Sequence, residues 1–296
     1  MKIQTLGALL RIEALGSIRA AAAALHVSQP ALTQAIQQLE EELGAQLLIR
    51  SPSGIAFTDH GRAVLRHARL MVSETQRVKE EIAQMRGDGA GHIRLAASPA
   101  ISLTLLPQAL RPFTRKFPQV RVHCMDGVSP MVHPALRSGA IDFALTPVRV
   151  DDLETGLVAE RLCQRGIVVA AHRNNPHCRA RSLADLAHAR WVHATPSNGP
   201  GAVIDAMFLQ AGLQPPTPVM VCESLLALPE IVRDTDLVTT LPEALFQRVS
   251  ASHGLQKIEL AEPLPQLQIA ILRMEHLPLT PVAQELLGWV RQAAQH

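Results

Sequence analysis

The feature that most constrains the fold is a change of sequence pattern at residues 86–92, RGDGAGH. Gly87, Gly89 and Gly91 stand at every second position there, and neither a helix interior nor a strand interior favours such a run. Residues 1–86 have a helical pattern except near 49–57, whereas short apolar runs alternate with helical patterns beyond the glycines. At 296 residues, the chain is long enough for about two domains. We therefore expect a domain boundary near residue 88.

The second part of the chain has the pattern of an α/β domain. Its strand-like runs are HIRLAAS, VRVHC, IDFALT, GIVVAA, VMVCES, DLVTTL and QIAILR, and longer helical patterns separate them. Such alternation predicts βαβ units and a mostly parallel sheet covered by helices. The last segment, TPVAQELLGWVRQAAQH, predicts a closing helix that begins after a Thr-Pro pair.

Residues 28–40, SQPALTQAIQQLE, predict a helix with one packed face and one free face. Ser28 can cap it, and Pro30 fits the first helical turn. The stripe that is expected to pack consists of Leu32, Ile36, Leu39 and Leu43, and the polar face carries Pro30, Thr33, Gln34 and Gln37. The helix therefore presents a row of uncharged amides to a partner or to solvent.

The segments around this helix predict a winged helix-turn-helix. The short helix RAAAALH has small side chains that allow a close crossing, and HVS is a tight turn before the polar helix. A helix-turn-helix places its second helix in the major groove of DNA. After it, LLIRSPSGIAFT reads as two short strands around a Ser-Pro-Ser-Gly turn. A solvated helical hairpin is the structural alternative for the polar helix taken alone.

A long helix beginning after Thr58 carries an apolar seam at alternating steps of four and three residues. Its members are Val64, Ala68, Met71, Thr75, Val78, Ile82 and Met85. This spacing is typical of a coiled coil, so we expect a homodimer through this helix. The alternative is one amphipathic helix packed on its own domain.

Residues 16–65, GSIRAAAAALHVSQPALTQAIQQLEEELGAQLLIRSPSGIAFTDHGRAVL, resemble the DNA-binding unit of LysR-type transcriptional regulators. The resemblance rests on the Gly-Ser before the helix pair, the Ser-Gln-Pro-Ala start, the Leu-Glu and Leu-Gly pairs, Arg50 and Thr58. It implies an α plus α/β fold in three parts. These are a winged helix-turn-helix over 1–58, a dimerising linker helix over 59–87 and an effector-binding domain over 88–296.

The effector-binding domain of that family is two-lobed, like a type 2 periplasmic binding protein, and the resemblance implies the same here. Lobe I is expected at about 91–162 plus 266–296, and lobe II at about 163–265. The implied assembly is a homodimer or homotetramer, with double-stranded DNA and a small-molecule effector as partners and RNA polymerase as a further candidate partner. The effector-domain runs also resemble the sub-branch that includes the toluenesulfonate-responsive regulator TsaR. That resemblance suggests only a class of ligand.

The expected DNA-binding residues combine the polar helix face with positions that the resemblance implies. They are Arg19, Ser28, Gln29, Pro30, Thr33, Gln34, Gln37 and Arg50. Gln34 and Gln38 stand where relatives often carry basic residues, and Leu48 stands where phenylalanine is usual. Residues 1–58 hold four basic and four acidic side chains, so this part has no net charge. We expect weak nonspecific binding with a shallow salt dependence. Because glutamine pairs bidentately with adenine, we expect A·T-rich, dyad-symmetric sites.

Two segments of the second part are candidates for effector binding. In RLAASPAIS a strand ends at Ser98, which can cap a helix that Pro99 enters, and an anion suits such a junction. TPSNGPGAV is an amide-rich approach to another helix. Both candidates can equally be ordinary strand-to-helix turns. The family's arrangement implies that further segments meet these across a cleft. The full expected set is Ser98, Pro99, Ala100, Gly127, Val128, Ser129, Thr146, Ser197, Asn198, Gly199, Gly201 and Glu223.

A small organic anion, such as an aromatic carboxylate or sulfonate, is the expected effector, and no cofactor or metal is expected. Enzyme activity is not expected, because no GxSxG, HExxH or strand-linked GxGxxG motif occurs. Four scattered cysteines read as ordinary buried thiols, and the closest His/Cys cluster, His172, His177 and Cys178, lacks metal-ligand spacing.

A thiol-redox regulator of the same family, using Cys163 and Cys178, stays open as an alternative function. A solute-binding protein is a weaker one. The N-terminus has no secretory-signal pattern and the chain has no uncharged apolar stretch of about 18 residues, so a cytoplasmic protein is expected. The effector's identity, the target genes and the sign of regulation cannot be read from the residues.

Overall fold

The computed structural model describes residues 1–51, 54–87, 90–149, 153–194 and 203–295. The chain forms two compact units. The helical unit comprises residues 1–92 with 134–142, and the α/β unit comprises residues 93–133 with 143–296. Within the described residues, no helix has the length and apolar character needed to cross a membrane. The boundaries predicted for the linker helix and the lobes stay predictions.

The helical unit contains a three-helix core, a strand pair and one long helix. Its elements are α1 (Ile3–Leu15), α2 (Ile18–Ala24), α3 (Gln29–Leu43), β1 (Leu48–Ser51), β2 (Gly54–Phe57) and α4 (Asp59–Met85). Leu9 and Ile12 of α1 pack in one hydrophobic core with Ala21 of α2 and Ile36 of α3. The alanines of α2 allow the close crossing that the sequence predicts.

The turn between α2 and α3 is set by local chemistry. The Ser17 hydroxyl accepts a hydrogen bond from the Ala20 N–H, and the Ser28 hydroxyl accepts one from the Ala31 N–H at 3.3 Å. His26 adopts a positive φ of 55° in the four-residue turn between the two helices. Gly44 ends α3 in the left-handed conformation that glycine favours. The predicted cap at Ser28 is thus confirmed.

The strand pair after α3 is anchored to it by one carboxylate. Glu40 accepts hydrogen bonds from the backbone N–H groups of Leu47 at 2.7 Å and Leu48 at 3.1 Å. β1 and β2 pair antiparallel, with Ser51 opposite Gly54, and the two turn residues lie outside the described part. The two strands predicted for this segment are confirmed.

The α/β unit contains the remaining strands and helices. They are β3 (Gly91–Ala97), α5 (Pro99–Leu103), α6 (Leu105–Lys116), β4 (Val120–Asp126), β5 (Phe143–Pro147), β6 (Leu157–His172), β7 (Val192–His193), α8 (Val203–Gln210), β8 (Met220–Val221), α9 (Leu228–Arg233), β9 (Val238–Pro242), α10 (Glu243–His253), β10 (Leu255–Ile258), β11 (Gln266–Met274) and α11 (Pro281–Ala294). A short helix, α7 (His133–Arg137), belongs to the helical unit except for its first residue. Each apolar run named above overlaps a strand, whereas β7 and β10 were not predicted from the sequence.

The prediction of a mostly parallel sheet is wrong. The seven-stranded sheet has the order β10-β6-β11-β5-β3-β4, with β9 beside β6. β3 pairs parallel with β5, but β6 is antiparallel to β9, β10 and β11, and β11 is antiparallel to β5. The reason is the 16-residue β6, which extends from the core that Cys163 contacts into the cores that contain Val168 and Val169, while β11 returns antiparallel beside it.

The two parts of the α/β unit have separate interiors. One core lies between β3, β5, β11, α6 and α11. Beyond it, the second half of β6 is buried on both faces: Val169 and Ala171 contribute to a core with Trp191, and Val168 and Ala170 to a core with Leu241. The long strands β6 and β11 therefore connect two separately packed bodies.

Candidate functional site

A cavity of about 140 Å³ lies within the α/β unit between these separately packed bodies. Its walls are mainly apolar. They are formed by Ser98, Ala100, Ile101, Thr104, Leu105, Val128, Pro147, Cys163, Arg165, Ile167, Ala194, Val203, Leu225, Thr240, Leu241, Pro242, Ala244, Leu267 and Ile269. An engineered apolar cavity of about 150 Å³ is known to bind benzene, so this volume suits a single aromatic ring.

Ser98 places a buried hydroxyl in the wall of this cavity. Its side chain is only 2% exposed, and its hydroxyl has no hydrogen-bond partner among the described residues. The expectation that Ser98 caps α5 is wrong: it stands at the N-cap position, but its side chain makes no capping bond. α5 has only five residues, so the unpaired hydroxyl and not the helix terminus is the feature that can hold a ligand.

The structure brings together some of the expected effector residues and separates others. Ser98, Ala100 and Val128 line the cavity, whereas Pro99 and Glu223 do not. Ser197, Asn198, Gly199 and Gly201 lie outside the described residues.

Gly127 is required by close packing beside this cavity. A Cβ at position 127 would overlap the Val132 side chain and lie 3.3 Å from the Ala96 Cβ. The Gly127 N–H also donates to the Ala97 carbonyl oxygen at 3.1 Å. Gly127 therefore fixes the path of the segment that carries Val128 and Ser129.

Ser129 and Thr146 form a polar cluster beside the cavity. The Ser129 N–H donates to Thr146 Oγ1 at 3.0 Å, and the Thr146 hydroxyl donates to the Pro147 carbonyl at 3.2 Å. Ser129 lines a second cavity of about 190 Å³, to which Arg149 and Gln268 also contribute. Pro147, Val203 and Leu267 line both cavities, so the two spaces adjoin.

Arg165 also lines the first cavity and was not predicted from the sequence. Its guanidinium donates to the carbonyl oxygens of Gln164 at 3.3 Å and Ala294 at 3.4 Å, and no carboxylate of the described residues pairs with it. An arginine directly before the buried run GIVVAA was the available signal. The wall of the cavity therefore includes an arginine as well as the Ser98 hydroxyl.

The expected DNA-binding residues lie mainly on an exposed face of the helical unit. Leu32, Ile36 and Leu39 are buried, whereas Gln34 and Gln37 are exposed. Thr33 is half-buried, and the side chain of Arg50 lies outside the described part. The other exposed members are Arg19, Ser28, Gln29 and Pro30. The predicted packing of Leu43 is wrong: its side chain is 42% exposed because α3 ends there at Gly44.

The apolar seam of α4 changes character along the helix. Ala68 is fully buried in the core of the helical unit, and Val64 packs against the same core. Val78, Ile82 and Met85 are 54%, 47% and 77% exposed. The first half of the seam thus has an intrachain role, and the second half offers apolar surface to a partner.

The cysteines differ from the expected buried thiols. Cys124 is exposed and Cys163 and Cys178 are half-buried, so only Cys222 is fully buried. Burial raises the pKa of Cys163 above its ordinary value, and Arg165 opposes this; burial also raises the pKa of Cys178. Cys163 packs against the core that contains α11, and Cys178 packs against the core that contains Trp191. Within the described ranges, no group of three His, Cys, Asp or Glu side chains could hold a metal ion.

Comparison with known protein families identifies the family in which these two units occur together. Residues 3–62 match the bacterial regulatory helix-turn-helix protein of the lysR family, and residues 86–295 match the LysR substrate binding domain. The chain belongs to the LysR family of transcriptional regulators. Two matched regions therefore account for both the DNA-binding fold and the two-lobed, periplasmic-binding-protein-like fold.

Curated relatives of the chain are transcriptional regulators and not enzymes. The regulator GalR of Pseudomonas putida is 28% identical over 267 residues, covering 90% of this chain and 67% of GalR. The SDS degradation transcriptional activation protein of a Pseudomonas species is 29% identical, covering 93% and 90%. The hydrogen peroxide-inducible genes activator of Pectobacterium carotovorum is 26% identical, covering 100% and 97%.

Solved structures have the same fold. CbnR in complex with its target DNA superimposes with a TM-score of 0.72 at 22% identity, covering 99% of this chain and all of that one. At these identities the likeness concerns the fold alone. Full-length members of the LysR family thus share the arrangement of elements described above.

Proposed function

We propose that this LysR-family regulator binds A·T-rich, dyad-symmetric DNA in the cytoplasm as a dimer or tetramer and responds to a small aromatic acid. The observation that carries the effector proposal is the buried, unpaired hydroxyl of Ser98 in a cavity of about 140 Å³. A buried polar group without a partner destabilises a protein by about 1–3 kcal/mol, and a ligand that satisfies it recovers that energy.

The chemistry of the cavity favours an aromatic carboxylate or sulfonate. Ile101, Leu241 and Ile269 offer apolar surface for a ring, and the charge of Arg165 attracts an acid group. The resemblance to the sub-branch of the toluenesulfonate-responsive regulator agrees with this class. Ser98, Ala100 and Val128 are the proposed contacts, with Thr104, Arg165 and Thr240 added from the structure.

The proposed DNA-reading surface is the exposed face of α3. Gln29, Thr33, Gln34 and Gln37 are the proposed base contacts, and Arg19, Ser28, Pro30 and Arg50 are assigned to positioning. An amide that pairs bidentately with adenine contributes about 1–3 kcal/mol of discrimination. With four basic and four acidic side chains in residues 1–58, attraction to the phosphates contributes little to the DNA affinity of one protomer. Dimerisation through Val78, Ile82 and Met85 would bring two such weakly binding protomers to one site.

Regulation then requires that effector binding and DNA binding be thermodynamically linked. A ligand in the cavity alters DNA binding only if its affinity differs between the arrangements of the assembly that bind DNA differently. A thiol switch is not the function we propose, because Cys163 and Cys178 pack in separate cores and burial raises the pKa of both. The resemblance to a hydrogen peroxide-inducible activator makes that alternative worth a direct test with cysteine variants.

Isothermal titration calorimetry tests the effector proposal. Benzoate, toluenesulfonate and their ring-substituted analogues are titrated into the full-length protein and into Ser98→Ala. We expect binding by members of the panel and a loss of about 5- to 100-fold in Ser98→Ala, as for a lost buried hydrogen bond. Ser138→Ala is the control, because the Ser138 hydroxyl donates locally to the Ala135 carbonyl. Binding of another metabolite class, with none of the acids bound, contradicts the proposal.

A further inference from the structure

Three side chains beside the second cavity form a hydrogen-bonded series. Ser129 Oγ lies 3.0 Å from His133 Nε2, and His133 Nδ1 lies 3.0 Å from Glu154 Oε1. Ser129 and His133 are almost fully buried, at 3% and 1% exposed, whereas the Glu154 side chain is 49% exposed. A buried histidine held at both ring nitrogens has a defined tautomer, and the tautomer determines which of its neighbours can donate.

The carboxylate of Glu154 sets the direction of every bond in the series. An ionised carboxylate only accepts hydrogen bonds, so His133 donates from Nδ1. In the neutral ring Nε2 is then the acceptor, and the hydroxyl of Ser129 donates to it. The Ser129 N–H is already committed to Thr146 Oγ1 at 3.0 Å. Both protons of Ser129 are therefore already donated within the protein. Its hydroxyl oxygen can only accept a hydrogen bond from a ligand.

This polarity matters because the cavity that Ser129 lines adjoins the one proposed for the aromatic acid. Pro147, Val203 and Leu267 line both spaces. A ring bound near Ser98 can therefore direct a substituent toward Ser129. A substituent with only acceptor atoms would face an oxygen that cannot donate to it.

We propose that His133 and Glu154 make Ser129 an obligate hydrogen-bond acceptor, so that the effector is an aromatic acid bearing a hydroxyl or amino group. His133 acts as a positioning and specificity-determining residue in this scheme. The inference rests on the proposed function, because it assigns a substituent to the ligand of that site.

The test compares donor and non-donor ligands of similar size. Hydroxybenzoates and fluorobenzoates, each substituted at the 2, 3 or 4 position, are titrated into the full-length protein at pH 8. For at least one position we expect the hydroxyl compound to bind about tenfold more tightly, because the fluoro compound leaves the buried Ser129 oxygen without a hydrogen-bond donor. Equal affinities at all three positions would overturn the inference while leaving the proposed function standing. Binding by no aromatic acid would overturn both.

Glu154→Lys tests whether the hydrogen-bonded series controls the ligand preference. A lysine ammonium only donates, so it favours the His133 tautomer with the proton on Nε2, which donates to Ser129 and frees the serine hydroxyl. The hydroxyl-to-fluoro affinity ratio should fall toward one, and this ratio cancels any general loss of affinity. Glu275→Lys makes the same charge change in a pair that is exposed on both sides, 3.7 Å from His276, and should keep the wild-type ratio. A wild-type ratio in Glu154→Lys would overturn the inference.

Nitrogen-15 NMR of histidine-labelled protein reports the tautomer directly. His133 is assigned by its loss in His133→Gln, and the proton is expected on Nδ1 in the wild type and on Nε2 in Glu154→Lys. A wild-type proton on Nε2 would overturn the inference whatever the calorimetry shows.

Discussion

Arg77 and Asp142 form a buried ion pair within the helical unit, with Arg77 Nη2 2.8 Å from Asp142 Oδ1. Their side chains are 6% and 7% exposed. The same guanidinium contacts Glu74 at 2.7 Å and donates to the Ile141 carbonyl oxygen at 3.3 Å. Arg77 thus ties the second half of α4 to residues 139–142, and Ser73 adds a hydrogen bond to the Gly139 carbonyl at 2.8 Å.

Removing this arginine should destabilise the helical unit strongly. Arg77→Met takes this guanidinium away from the buried Asp142 carboxylate, and breaking a buried pair in this way costs about 3–5 kcal/mol. Arg62→Met is the control, because Arg62 and Asp59 pair in solvent, where a pair contributes about 0–1 kcal/mol. Thermal unfolding followed by circular dichroism checks both. Equal melting temperatures for the two variants would contradict the assignment of Arg77 as a buried support.

A glycine in the first turn of α4 offers a second test of packing. A Cβ at Gly61 would overlap the Leu47 carbonyl oxygen and lie 3.0 Å from the Phe57 ring, so Gly61→Ala should lower the free energy of unfolding of the helical unit by about 1–3 kcal/mol. A Cβ added at Gly7 in α1 would meet nothing within 4 Å, so Gly7→Ala should stabilise the helix by up to about 1 kcal/mol. Melting temperatures that move in the same direction would refute this packing.

The second half of the α4 seam should form the dimer contact. Val78→Glu with Ile82→Glu places charge on two exposed apolar positions, and each apolar side chain that a partner buries contributes about 1.5–3 kcal/mol. We expect dimer dissociation to become at least about a hundredfold easier. Lys79→Glu changes a neighbouring exposed position and should leave the dimer intact. Sedimentation velocity measures both, and an unchanged association state in the double variant would exclude this surface.

The thiols should be dispensable for the effector response. Because burial raises the pKa of Cys163 and Cys178, each has less thiolate at neutral pH than a free cysteine, and their alkylation should accelerate only as pH rises above the ordinary thiol range. Cys163→Ser with Cys178→Ser should retain effector-dependent DNA binding. A peroxide response that this double variant abolishes would establish the redox alternative.

The helical unit was predictable because its signals are local. The capping serine at position 28, the leucine and isoleucine stripe of α3 and the chain reversal near His26 all lie within a few residues of what they control. The prediction that Leu43 packs was wrong because a helical wheel does not show where α3 ends. The prediction of mostly parallel strands was wrong because βαβ alternation does not reveal that β6 is long enough to extend from one packed body of the α/β unit into the other.

The candidate site was predictable only in part, because its members come from distant segments. Ser98 carries a local signal, whereas Arg165 and Thr240 become neighbours of Ser98 only through the pairing of β6 with β9 and β11. The contact of His133 with Glu154 spans 21 positions and has no motif. Side chains that converge through strand register leave no periodic trace in the sequence.

Occupancy of the cavity near Ser98 is proposed to control DNA binding. A DNase I footprint on the promoter beside this gene, with and without an aromatic acid that calorimetry shows to bind, tests it most directly. We predict a dyad-symmetric, A·T-rich footprint whose extent or affinity changes with the acid in the wild type, with Ser98→Ala needing more acid in proportion to its weaker binding. Identical footprints with and without saturating acid would contradict the account.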